Sequence, residues 1–294
     1  MKRLRAHIDD VGKGLVALTG MLLSACSAPP YPHGEFHEIY PQPPRPTLAE
    51  REVVVGDRRY KLQVAEMRGA ADLSSDATPI VFVHGSPGDW KAWARYLDDP
   101  ALRAYGPLIA VDRPGFGGSR ELGVMTDLRA QAEVLAQLIP QGRRAIVVGH
   151  SLGGPLVAWM AIDHPERVCG AVMVAGAVAA SVEQPRWYNR FAHGWLGRHL
   201  LPEVILQSNR ELMVLDAELR RLDAAWPQLQ RPLIAIQGED DALVLPETAD
   251  YLQQRVSPDW LRLQRVPDQG HFVVWERQDL VTTAIRGLAC ASQE

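Results

Sequence analysis

Five short, unbroken apolar runs constrain the fold of this chain more than any other feature: Pro79–Val83 (PIVFV), Leu108–Val111 (LIAV), Ala145–Val148 (AIVV), Gly170–Val174 (GAVMV) and Leu233–Ile236 (LIAI). A strand with one wet face alternates apolar and polar residues. A run with no polar break is buried on both faces, as the central strands of a parallel sheet are. Parallel neighbours need a crossover of a dozen or more residues, usually a helix. The intervals supply them: Asp127–Ile139, opened by Thr126 as N-cap, and Leu152–Asp163 carry helical apolar spacing, as does Glu247–Val256 later on. An opening hairpin, Arg51–Val55 and Tyr60–Glu66 turned at Gly56-Asp57, comes first. A strand around Trp260–Val266 and a helix from Arg277 close the order. Right-handed crossovers in that order predict an α/β fold, a doubly wound, mostly parallel sheet.

One interval breaks the rhythm. More than fifty residues separate the run ending near Ala175 from the run beginning at Leu233, and their pattern is mostly helical, with Trp187, Tyr188, Phe191, Trp195 and Trp226. An insertion of that length has structure of its own. Following the sixth strand, it is expected above the carboxyl ends of the strands, where α/β sheets bind ligands. Residues 177–230 are therefore predicted to form a helical cap on a single domain of residues 49–294. Most of its aromatics are expected to pack the cap onto the body.

The N-terminus reads as an export signal over residues 1–25. Lys2, Arg3 and Arg5 precede a short apolar run, Gly14–Leu23, which is too short to span a bilayer but fits a signal core. Leu23-Ser24-Ala25-Cys26 resembles the lipobox of bacterial lipoproteins. That resemblance implies lipidation at Cys26, cleavage before it, and a membrane-anchored protein on the periplasmic or cell-surface side. Residues 26–48 would then be the lipidated cysteine and a proline-rich linker, extended and semi-rigid. The formal net charge is −4, and residues 1–25 hold four basic against two acidic side chains, so the remainder is more acidic still. Without a basic cluster there is no electrostatic footprint for nucleic acid. No Cys/His spacing suits zinc, and no metal site is expected. Of the other cysteines, Cys169 opens an apolar strand and reads as a small core residue, and a bond to the distant Cys290 does not follow from the sequence.

Gly149-His150-Ser151-Leu152-Gly153 follows the run AIVV directly and opens a helix. A sharp strand–turn–helix holds a serine in a strained conformation, which small neighbours make room for, and aims its hydroxyl above the sheet. A serine needs a base to become nucleophilic, and the base needs an orienting carboxylate. The loop after LIAI reads Gln237-Gly238-Glu239-Asp240-Asp241, and the loop after the last strand reads Asp268-Gln269-Gly270-His271-Phe272. In that order and at those strand ends, residues 50–294 resemble the α/β-hydrolase fold superfamily. The resemblance implies Ser151 as nucleophile, His271 as base and Asp241 as the acid, with Asp240 the less favoured neighbour.

The same resemblance assigns the oxyanion hole to two backbone amides. One is that of Leu152. The other is that of Ser86, in the loop His84-Gly85-Ser86-Pro87-Gly88 after PIVFV. It gives His84 a buttressing role and matches Asp112-Arg113-Pro114-Gly115-Phe116-Gly117, whose Asp112 and Arg113 are expected to hold their loop by hydrogen bonds. His33, His37, His150, His164, His193 and His199 have no partner visible in the sequence. The implied activity is ester hydrolysis by acyl transfer, without a cofactor, on a small or medium apolar ester. The same residues also serve cleavage of a peptide or amide, a lactone or a C–C bond. A reading from another class is a surface-anchored binding protein that has lost turnover. Oligomeric state is not legible.

Overall fold

The computed structural model describes residues 36–40, 42–68, 77–183, 187–288 and 290; the expected signal segment and Cys26 lie outside the described residues. Eight strands form one sheet in the order β1-β2-β4-β3-β5-β6-β7-β8. They are β1 (Thr47–Val55), β2 (Arg58–Met67), β3 (Ile80–Val83), β4 (Leu108–Val111), β5 (Ala145–His150), β6 (Val168–Val174), β7 (Leu233–Gly238) and β8 (Leu261–Val266). The hairpin β1–β2 is antiparallel and β2 joins β4 antiparallel, while every pairing from β4 to β8 is parallel. This is the predicted α/β architecture.

The five apolar runs are the interior strands, and every residue of β3 to β7 is buried. The period of two sorts them into two cores. Val81, Val83, Ala145 and Val147 face one side; Ile80, Phe82, Ile146 and Val148 face the other. The first side is covered by α1 (Leu128–Ala136), α2 (Gly153–Asp163) and, further along the chain, α6 (Glu247–Arg255). The second is covered by the short turns around Trp93 and Leu97 and by the last helix, α7 (Gln278–Arg286). Each fully buried Leu, Ile, Val or Phe contributes roughly 1.5–3 kcal/mol relative to exposure, so a sheet dry on both faces is the main source of stability.

Local differences from the sequence expectation have identifiable causes. Helix α1 is capped by Asp127 rather than Thr126, because the Asp127 carboxylate accepts from the Ala130 amide at 2.8 Å. It ends at Ala136, short of Ile139: the amides of Leu138 and Ile139 turn inward to Leu135 and Ala136, and Pro140 disfavours helix in the residue before it. The end of the proline-rich segment is docked rather than free. Tyr40 is buried, stacks on Trp90 and donates its hydroxyl to the Ala94 carbonyl at 2.6 Å. Cys169 is in the core as expected, but it is disulfide-bonded to Cys290, with Cα atoms 5.3 Å apart. Helix α7 returns the chain to the start of β6, where Leu288 packs against Gly170, and so brings the two thiols together.

Between β6 and β7 lie α3 (Trp187–His193), α4 (Trp195–Leu200) and the 21-residue α5 (Glu203–Asp223). Leu215, Leu219 and Leu222 of α5 are spaced to share one face, and all three are buried in the core that contains α2. Trp226 is buried and donates to the Tyr251 hydroxyl at 3.1 Å, but Trp195 stands 75% exposed. The expectation that the aromatics pack holds for the first and not for the second.

Candidate active site

Ser86, Ser151, Leu152, Asp241 and His271 all lie in turns or loops at the carboxyl ends of the parallel strands β3, β5, β7 and β8. Ser151 follows β5 directly and has φ +53°, a left-handed conformation that costs a non-glycine residue on the order of 1–2 kcal/mol. The surroundings over-determine it. Its amide donates to the Val174 carbonyl at 3.0 Å, and its carbonyl accepts from Gly154 at 2.8 Å and Ala177 at 3.1 Å. Gly149 is required for space as well: a Cβ there would collide with the Gly153 carbonyl. Helix α2 starts at Gly153, so its positive end points back at Ser151.

The loop after β3 crosses immediately above. A Cβ built on Gly85 would stand 2.9 Å from the Ser151 Cβ, so the backbone at residue 85 lies against the serine. His84 is wholly buried and neutral, its pKa pushed far below the usual range by burial and then by the Arg113 charge. Its Nε2 accepts from the Arg113 amide at 3.0 Å, which leaves the proton on Nδ1 to donate to the Gly85 carbonyl at 2.7 Å. Both ring nitrogens are thus engaged in holding two loops together.

On the far side, the Asp241 side chain is fully buried beneath His271. Its Oδ1 accepts from the amides of Leu243 at 2.8 Å and Val244 at 2.9 Å, and its Oδ2 from Gln237 Nε2 at 3.3 Å. Oδ2 also meets His271 Nδ1 at 2.9 Å. Asp240 is exposed. Of the two adjacent aspartates, Asp241 is the one that faces the histidine.

His150, which had no partner in the sequence, has one here. Its Nε2 donates to the His271 carbonyl at 3.1 Å, and the two rings lie 4.8 Å apart. Burial, with a smaller contribution from the His271 charge, pushes its pKa down to about 3, so it is a neutral pin beneath the His271 loop. The period of two along β5 puts it on the face of Ile146 and Val148, opposite the serine's helix. The spacing was legible; that β8 delivers His271 onto that same face was not.

The loop after β4 is held as expected. Asp112 accepts from the Trp90 and Gly118 amides, both at 2.7 Å, and burial nonetheless pushes its pKa up to about 7. Arg113 is fully buried, stacked 4.8 Å from the Phe116 ring, and its guanidinium donates to Gln131, to the Gly85 carbonyl and to both oxygens of Glu211. Glu211 and Ser208 reach the site from α5 and carried no signal in the sequence. Among the described residues no group of His, Cys, Asp or Glu is arranged to hold a metal ion.

Comparison with known proteins agrees with this architecture. A model of the alpha/beta hydrolase family matches residues 80–284. Over 145 residues the chain is 32% identical to the dihydrolipoyllysine-residue acetyltransferase component of the acetoin cleaving system of Cupriavidus necator, covering 49% of this chain and 37% of that protein. Over 98 residues it is 37% identical to the pimeloyl-[acyl-carrier protein] methyl ester esterase of Yersinia enterocolitica, 33% of this chain and 36% of the other. The chain therefore spans well under two thirds of the length of these relatives. A thermophilic esterase from Thermogutta terrifontis shares the fold with a TM-score of 0.59 at 18% identity, over 82% of this chain and 97% of its own. With the family model matched along most of the folded body, this chain belongs to the alpha/beta hydrolase family.

Proposed function

We propose that the chain is a carboxylic-ester hydrolase working by acyl transfer through Ser151, His271 and Asp241. One observation carries the reading: a buried carboxylate, already held by two backbone amides, meets His271 Nδ1 at 2.9 Å, and the His271 carbonyl is bonded to His150, the residue before a serine in a strained strand–helix turn. His271 Nε2 takes the Ser151 proton as Oγ attacks the ester carbonyl, and Asp241 holds the tautomer and stabilises the imidazolium. The negative charge moves to the carbonyl oxygen, toward the amides of Ser86 and Leu152 and the positive end of α2. His271 then protonates the leaving alkoxide. In the second half-reaction it deprotonates water, which attacks the acyl-enzyme and frees the acid and Ser151. The chemistry calls for no cofactor. The related protein from Yersinia enterocolitica, named as a methyl ester esterase, supports an ester as the substrate class.

The reading includes a location. The disulfide between Cys169 and Cys290 supports an oxidising compartment, in keeping with a signal over residues 1–25, an anchor at Cys26 and a linker onward to residue 48. A helical cap over residues 177–230 would then set the size of an apolar acyl or leaving group.

A fluorophosphonate probe tests the chemistry: the wild type should be labelled and Ser151→Ala should not. Labelling that survives Ser151→Ala would sink the assignment. Hydrolysis of p-nitrophenyl esters of rising chain length, alongside an aminopeptidase substrate, would define the bond and the acyl preference. Metabolic labelling with a fatty-acid analogue, lost in Cys26→Ala, tests the anchor.

A further inference from the structure

The long helix above the site touches the loop beside Ser151 through a carboxylate, Glu211, and a hydroxyl, Ser208. Glu211 of α5 and Arg113 are both fully buried, at 2.7 Å through Oε1 and 3.1 Å through Oε2. Ser86 Oγ lies 2.6 Å from Glu211 Oε2 and 3.0 Å from Ser208 Oγ. A hydroxyl has one proton, so Ser86 gives it to the charged acceptor and accepts from Ser208. Arg113 Nη2 also donates to the Gly85 carbonyl at 2.9 Å, which accepts from His84 Nδ1 at 2.7 Å as well.

Those contacts grip one peptide unit. The Gly85 carbonyl and the Ser86 N–H belong to the same planar trans peptide, so they point in opposite directions. Holding the carbonyl on the Arg113 side aims the N–H the other way, and anchoring the Ser86 hydroxyl stops the unit from rotating. Resting on the acyl-transfer reading above, we propose that Glu211 is a positioning residue for the oxyanion hole. Through Arg113 and the Ser86 hydroxyl it sets the direction of the Ser86 amide, and it makes that direction depend on the seating of α5. The amide is then competent when the cap helix is docked and loosened when it lifts.

An oxyanion donor acts on the transition state and hardly on the ground state, so misaiming it lowers kcat and leaves KM alone. Removing such a donor outright costs about 10²–10³ in kcat, and misaiming one less. Ser86→Ala keeps the amide and removes only the hydroxyl anchor; Glu211→Gln keeps the shape and removes the charge. Both are expected to lose roughly 10- to 100-fold in kcat on p-nitrophenyl butyrate with KM within about twofold. The inhibition constant of an alkyl trifluoromethyl ketone, which forms a tetrahedral oxyanion on the nucleophile, should rise by the same factor as kcat falls. Glu211→Ala strands a buried guanidinium and is expected to unfold the cap, so Ser86→Ala carries the test. Wild-type kcat and ketone affinity in a folded Ser86→Ala protein would overturn the inference, as would a rise in KM alone. Those results leave the acyl-transfer reading standing; a wild type that neither turns over ester nor reacts with fluorophosphonate overturns both.

Discussion

A carboxylate that orients an imidazole has to be removed from water without being left unpaired, and Asp241 satisfies both conditions. Two amides of its own loop hold one oxygen, leaving the other for His271. Asp241→Asn would turn an acceptor into a donor facing a protonated nitrogen or impose the wrong tautomer, and is expected to lower kcat by about 10⁴-fold. Asp240→Asn, exposed, should stay within about twofold; steady-state ester hydrolysis distinguishes them, and the reverse ranking would reassign the acid. His150 supports the histidine loop from below, and its charge state makes a stability prediction. Its folded pKa is depressed to about 3 from the ordinary 6.5, so the stability it contributes is complete above 6.5 and is lost as pH falls toward 3. His84 has the same sign. Asp112, raised to about 7, has the opposite sign, since its contribution is complete at low pH and fades as pH rises toward 7. Urea midpoints measured from pH 7 to pH 4 should therefore fall less steeply in His150→Gln than in the wild type. Equal slopes would show that the buried ring is not the acid-sensitive group.

At the scale of elements, the apolar runs became the interior strands because burial on both faces leaves no other place for them. Their ends were less legible. Strands β5 and β7 continue to His150 and Gly238, past the last apolar residue of each run, because ladder bonds are made by backbone regardless of side chain. The strand–helix turn at Ser151 was readable from its glycines, and its tightness yields a ranking. Gly149→Ala places a methyl against the Gly153 carbonyl with no flexible group to yield, and is expected to cost roughly 1–3 kcal/mol or more and most of the activity. Gly123 has φ +69° with open space around it, so Gly123→Ala should cost only the left-handed strain, about 1–2 kcal/mol, and keep activity. Thermal midpoints and ester turnover of the two variants test that order.

For the whole molecule, the Cys169–Cys290 bond joins the start of β6 to the chain beyond α7 across 121 residues. Loop-closure entropy in the unfolded chain makes such a link worth about 2–4 kcal/mol, which for a domain of this size is a fall in Tm of roughly 5–15 °C on reduction or in Cys290→Ser. An unchanged melting curve with reductant would mean the bond is not formed in the protein as purified. By itself the sequence determined the class of fold, the succession of strands along the chain and the turn that holds Ser151, because burial periodicity and turn chemistry are local and each leaves a local mark; Asp241 and His271 were candidates through the family resemblance. The tertiary structure alone decided which aspartate meets His271, that His150 lies beneath it, that Cys169 finds Cys290, and that Glu211 reaches across 98 residues of chain to Arg113. Those pairings depend on where separate elements converge in space, and a polar side chain carries no local sign of the partner that burial will force on it.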